Sequence, residues 1–239
     1  MDEPHLDLSA ETIDSIVNFL GYGRASAPVC FIGIEEGIGD MTSNEAKMNL
    51  KARGHFEDTM DLYCAHLRLL KGGKPIGIEN KLPSTQVWRW MAKIMLAFRG
   101  CDRWNDPELA KDYARFQLGR NNGETFMTEL SPIPAKNAGD KNWMQWFTEH
   151  DSELARKLSE RRDKLKELLK QNSSSLVICY GSGRQKMDEF AKFLEVQWQP
   201  VCADTYISAN SKMLLLPFFG NGRMSSKVIE ELLRAGYLK

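Results

Sequence analysis

Two patterns of apolar residues alternate along this chain. Four short segments predict strands, and they cover residues 28–34, a continuous apolar run, and residues 125–130, 176–180 and 212–218. Segments with apolar residues every three or four positions predict helices over residues 10–21, 44–70, 87–98, 107–118, 151–171, 185–194 and 225–233. This alternation indicates an α/β fold. We predict a three-layer α/β/α sandwich with a central, mainly parallel four-stranded sheet.

Each predicted strand ends in a loop rich in glycine, proline or polar residues. Residues 131–137 contain two prolines, so we expect them to leave the second strand, because proline cannot donate to a central ladder. The carboxyl ends of parallel strands meet at one edge of a sheet, where ligands usually bind. We therefore expect the loops to form one site, to which the first loop contributes Glu35, Glu36 and Asp40.

Composition limits the possible classes of protein. The 239 residues favour one domain spanning 1–239, and 32 basic against 32 acidic residues disfavour a binder of polyanions held by bulk charge. Five cysteines without a Cys-x-x-Cys pair argue against a disulfide framework or a zinc knuckle. The acidic N-terminus lacks an apolar signal segment, and no run is long enough for a membrane span. We expect a cytoplasmic protein, with its oligomeric state open.

Several well-known motifs are absent. The sequence has no phosphate-binding loop, no His-Glu-x-x-His and no Gly-x-Ser-x-Gly. Gly181-x-Gly183 lacks the third glycine of a dinucleotide-binding turn. The histidines at 5, 55, 66 and 150 lie in predicted helices or termini and are interpreted as surface or structural residues. We predict neither a cofactor nor a metal.

The loops resemble those of the uracil-DNA glycosylase superfamily in order and content. Residues 33–37 match its first motif, and residues 126–132 match a strand that carries a base-reading Asn, with Glu129 at the Asn position. Residues 216–225 match the last motif, His-Pro-Ser followed by a helix. Glu36 replaces the proline of the first motif and the last motif lacks its histidine, so an ordinary uracil glycosylase is not expected. The chain also lacks the paired cysteine spacing that ligates iron–sulfur in some branches of the superfamily, so no cluster is expected.

The resemblance implies base flipping and gives Glu35 the water-activating position, where Asp40 could assist. Glu36, Glu129, Phe218 and Phe219 would contact the base. An ionised Glu129 accepts hydrogen bonds only, which favours a base edge with N–H donors over uracil. Contacts to phosphate are expected from Ser182, Asn221, Arg223 and Lys227.

Three functions remain open. The first is hydrolysis of the N-glycosidic bond of a modified or non-uracil base in nucleic acid. The second is a non-catalytic module that uses the same pocket to hold a base, a nucleotide or a nucleic-acid end. The third is an unrelated α/β hydrolase of small metabolites. The partner in the first two is a nucleic acid or a ligand that contains a nucleobase, and in an enzyme Glu35→Gln would abolish turnover.

Overall fold

The computed structural model describes residues 8–37, 41–77, 81–135, 151–172, 176–181, 183–209, 213–220 and 222–238. The helices in these residues are α1 (Ala10–Asn18), α2 (Ser43–Arg53), α3 (Leu62–Arg68), α4 (Gln86–Phe98), α5 (Pro107–Phe116), α6 (Asp151–Gln171), α7 (Arg184–Leu194) and α8 (Ser226–Arg234). The strands are β1 (Gly21–Gly23), β2 (Val29–Gly37), β3 (Thr59–Met60), β4 (Leu70–Lys71), β5 (Lys74–Pro75), β6 (Thr125–Ala135), β7 (Leu176–Tyr180), β8 (Trp198–Cys202), β9 (Thr205–Ser208) and β10 (Met213–Leu216).

The main sheet has eight strands in the order β3-β1-β6-β2-β7-β10-β9-β8. Its four central strands, β6, β2, β7 and β10, are mutually parallel and correspond to the four predicted strands. β1 is antiparallel to β6, and β9 and β8 extend the other side by antiparallel pairing. The α/β class is confirmed, but the prediction of a four-stranded sheet is wrong, because the sheet is larger and mixed.

The added strands carried weak sequence signals. β1 and β3 have three and two residues, too few to show alternation. β8 and β9 alternate poorly, and β8 contains Pro200, which an edge strand tolerates. These strands form because neighbouring backbones already supply hydrogen-bonding partners, which is a tertiary effect.

A second correction concerns the prolines of β6. The strand continues to Ala135 instead of ending at residue 130, and it pairs with β2 through Glu35↔Ser131 and Gly37↔Ala135. β1 pairs only with Phe126 and Met127, so beyond them β6 has no β1 partner. Pro132 and Pro134 therefore do not remove hydrogen bonds of a central ladder.

Helices pack against both faces of the sheet. Val29 and Phe31 of β2 lie in one apolar cluster with residues of α3, α4, α5 and α8. Cys30 and Ile32 lie in a second cluster with residues of α6 and α7. The alternation of side chains along β2 separates the two clusters, and Cys30 and Cys179 are buried, as expected of small core residues. We call these the α4 face and the α7 face.

The connections define where a ligand would bind. The four parallel strands follow along the chain as β2, β6, β7 and β10. In the sheet, β6 lies on one side of β2, whereas β7 lies on the other side. The topological switch point is therefore between the carboxyl ends of β2 and β7. Open parallel sheets bind ligands at such points. Among the described residues, no helix has both the length and the apolar composition needed to cross a membrane.

Candidate functional site

The residues at the carboxyl ends of β2, β6 and β7 form a polar cluster on the α4 face. Gly33 of β2 lies directly opposite Glu129 of β6. Tyr180, the last residue of β7, donates a hydrogen bond from its hydroxyl group to Glu129 Oε1 at 2.7 Å. The other oxygen, Oε2, is buried without a hydrogen-bond partner and lies against the backbone of Gly33. Only glycine leaves room for this carboxyl group, because any Cβ at position 33 would overlap it.

Phe219 packs against Tyr180, the residue that donates to Glu129. Its ring is fully buried and stacks on the Tyr180 ring, with centroids 4.7 Å apart and planes within 10°. Phe31 packs edge-on against the Phe219 ring. The Phe219 ring therefore belongs to the core, and its contact with a base stays a prediction. Phe218 is partly exposed and packs at the edge of the same apolar cluster.

Glu36 forms a second polar group on the same face. Its Oε2 accepts hydrogen bonds from Arg53 of α2 at 2.5 Å and from the Tyr22 hydroxyl at 3.2 Å. The Arg53 side chain is only 5% exposed, whereas that of Glu36 is 31% exposed, so the ion pair is partly buried. Both of these hydrogen bonds end on Oε2.

His66 of α3 lies next to this ion pair. It is buried, its Nδ1 lies 2.8 Å from the carbonyl oxygen of Leu62, and its ring contacts those of Tyr22 and Trp88. Burial lowers its pKa, although the Glu36 charge opposes the shift, so the imidazole is neutral. His66 therefore lowers the pKa of Glu36 only where its ring is protonated, below neutral pH.

The two carboxyl groups on this face have pKa values moved in opposite directions. Burial raises the pKa of Glu129 to about 8; Glu36 and Glu35 add to the rise, while Tyr180 and Arg161 oppose it. Burial also acts to raise the pKa of Glu36, but Arg53 and, to a smaller extent, His66 and Tyr22 outweigh it, so that this pKa is lowered. At neutral pH, Glu129 is therefore mostly protonated and Glu36 is ionised.

Glu35 occupies a different environment from its neighbour. Partial burial raises its pKa; Lys186 lowers it and Glu189 raises it, and both of these residues belong to α7. Regular alternation would place Glu35 on the face of Phe31 and Gly33. The β2–β6 register shifts between Glu35 and Gly37, and it is Glu36 that contacts Tyr22 and Arg53 on the α4 face.

The remaining site predictions lie elsewhere or outside the description. Arg223 and Lys227 are exposed around the beginning of α8, and Lys227 acts electrostatically on Cys202 of β8. Asp40, Ser182 and Asn221 lie outside the described residues. The structure thus brings together Glu35, Glu36 and Glu129 of the predicted set, and it adds Tyr180, Arg53, Tyr22 and His66.

Of these additions, Tyr180 could have been found from sequence, because it ends a predicted strand at the ligand-binding edge. Arg53, Tyr22 and His66 come from other elements, and no spacing in the sequence links them to Glu36. In the described part of the chain, no group of three or more His, Cys, Asp or Glu residues is arranged to hold a metal ion.

Comparison with protein-family models, with curated proteins and with solved structures found no match for this chain. The class that the fold and the cluster define is therefore an α/β protein with a carboxylate-rich cluster at the switch point of its sheet.

Proposed function

We propose that this protein hydrolyses the N-glycosidic bond of a modified or non-uracil base, with Glu36 as the ionised carboxylate and Glu129 as the neutral acid. The observation that carries the proposal is the opposite displacement of two pKa values on adjacent strands. Such pairs are typical of sites that need an acid and a base at the same pH. Glycoside cleavage needs both, because the base departs while the sugar becomes positively charged.

Each carboxyl group has a distinct task in the proposed reaction. The C–N bond breaks with its electron pair moving to the base nitrogen, and Glu129 donates its proton to the departing base. Glu36 stabilises the oxocarbenium-like sugar and orients a water molecule. The water oxygen bonds to the anomeric carbon and Glu36 accepts its proton. Exchange with solvent then removes the proton from Glu36 and restores the one on Glu129.

The resemblance to uracil-DNA glycosylases supports the role of Glu129, whereas it gives the water-activating position to Glu35 and not to Glu36. Glu129 stands at the position of the base-reading Asn, and an ionised carboxylate there would accept hydrogen bonds only. A neutral carboxyl group can donate and accept, as an amide does. The protonated Glu129 can therefore perform the task of that Asn, and the expected preference for bases with N–H donors does not follow.

A binding module is the second candidate, and one contact favours it. Arg53 and Tyr22 already engage Glu36, and such an ion pair can have a purely structural purpose. A module of this kind would hold a base or a nucleotide in the same place without cleaving it. The two candidates differ in turnover and agree in binding.

The test is base release, detected by mass spectrometry, from single- and double-stranded oligonucleotides. These carry uracil, hypoxanthine, xanthine or alkylated bases, with free nucleosides alongside. We expect Glu36→Gln to reduce release by about 100-fold or more, a typical loss for acid–base catalysis, and to retain ligand binding. Glu35→Gln is the matched control and should reduce release by less than about tenfold.

The wild-type rate should also fall as pH rises through about 8, where Glu129 loses its proton. Binding without release by the folded wild-type protein would favour the module. Loss of release in Glu35→Gln alone would return the catalytic task to Glu35.

A further inference from the structure

Arg161 of α6 is the largest side chain that the fold buries completely. It is 1% exposed, although the helix around it is rich in exposed charge. Its neighbours along α6 form ion pairs at the surface: Lys157 with Asp14, Arg162 with Glu189 and Lys166 with Glu195. Burying a guanidinium group is costly unless the structure provides specific partners. The partners of Arg161 therefore indicate its purpose.

Within the described residues, the three hydrogen bonds of Arg161 all go to backbone carbonyl oxygens. Nε donates to Phe19 at 2.8 Å, NH1 to Leu130 at 3.2 Å and NH2 to Glu129 at 2.9 Å. β1 pairs with β6 only at Phe126 and Met127, so these carbonyls lie just beyond its ladder. Buried carbonyl groups need a donor, and the guanidinium fork supplies it where the sheet does not.

The same group places a positive charge behind the carboxyl group of Glu129. Burial lowers the pKa of Arg161 to about 10, while the Glu129 charge opposes that shift. The described groups that act on Glu129 come from three elements: Tyr180 of β7, Glu36 and Glu35 of β2, and Arg161 of α6. Arg161 supplies the positive charge in this set.

We propose that Arg161 is a positioning residue of the candidate site, which fixes the backbone of β6 at Glu129 and Leu130 from the α7 face of the sheet and acts on the charge of the Glu129 carboxyl group. The inference rests on the proposed function only in treating Glu129 as a site residue. It states that the charge of Arg161 lowers the pKa of Glu129, and this effect is measurable without any substrate.

The experiment is an NMR titration of the Glu129 side-chain carboxyl carbon in ¹³C-labelled protein, assigned with Glu129→Gln. In Arg161→Gln we expect the midpoint to rise, because a nearby positive charge that lowers the pKa of Glu129 is lost. Arg161→Lys keeps the positive charge but loses the planar guanidinium group with its several donors. Its midpoint should therefore lie between those of wild type and Arg161→Gln. Arg162→Gln, an exposed neighbour, is the matched control and should leave the midpoint unchanged.

A wild-type measurement covers the case in which Arg161→Gln does not fold. The Arg161 Nε resonance should shift with the same midpoint as Glu129, and this inflection should vanish in Glu129→Gln. Absence of a shared inflection would overturn the proposal, as would an unchanged Glu129 midpoint in a folded Arg161→Gln. Neither result affects the glycosylase proposal, which base release tests separately.

Discussion

Glu129 keeps its place because the residue opposite it has no side chain. Its Oε2 occupies the space of a Cβ at position 33, and the Tyr180 hydroxyl would lie 2.6 Å from the same atom. The glycine of the first strand end therefore allows two strands to bring their polar groups together. This requirement is steric, because Gly33 has no positive φ angle.

Gly33→Ala should displace the Glu129 carboxyl group and destabilise the protein by about 1–3 kcal/mol, as overpacking of a close contact usually does. Gly37→Ala provides the control, because a Cβ there meets nothing within 4 Å. We expect this second change to alter the free energy of unfolding by less than about 0.5 kcal/mol. Urea denaturation measures both, and equal effects of the two variants would contradict the packing explanation.

Among the helices, α2 connects the site to the surrounding fold. It begins with a capping box, in which Thr42 Oγ1 accepts from the Glu45 backbone N–H and Glu45 accepts from the Thr42 N–H. It ends at Arg53, which binds Glu36. The beginning of the helix satisfies its own backbone, and its end supplies the positive charge of the site.

Thr42→Ala should cost about 1 kcal/mol of stability, because the first turn of α2 loses a hydrogen-bond acceptor. Ser225→Ala is its counterpart at α8, where the N-cap side chain makes no capping hydrogen bond. That variant should stay within about 0.5 kcal/mol of wild type in thermal or urea unfolding. A comparable loss in both would show that the capping bond of Thr42 contributes little.

Across the fold as a whole, the displaced pKa values make stability depend on pH. Glu129 has a higher pKa folded than unfolded, so its contribution is complete below about pH 4.3 and is lost as pH rises towards 8. Glu36 and His66 have lowered pKa values, so their contributions are lost as pH falls. The opposing slopes place the most stable range at mildly acidic to neutral pH.

Glu129→Gln should isolate the alkaline slope, because Gln has no proton to lose. Relative to wild type, this variant should gain stability by up to about 1.4 kcal/mol for each pH unit between roughly 5 and 8. Urea unfolding of both proteins at pH 5, 7 and 9 measures the difference. Parallel stability curves would mean that Glu129 is already ionised in the folded protein at neutral pH.

Much of the central architecture was predictable because its signals are local. Residues 176–180 form a strand with the predicted bounds. The edge strands and the continuation of β6 through Pro132 and Pro134 were not predictable, since pairing with a neighbour decides them. The strand ends also located Glu35, Glu36 and Glu129 correctly at one edge of the sheet.

Apolar periodicity and strand-ending glycines, read directly from the chain, were enough to establish the α/β class, the four parallel strands and the edge that carries the carboxylates. These features depend on residues close together in sequence. The division of tasks among the carboxylates depends instead on the register shift in β2, the Arg53 ion pair and the burial of Glu129 against Gly33. Only the tertiary structure decides these, because a pKa is determined by charges and solvent in space, which the order of residues does not specify.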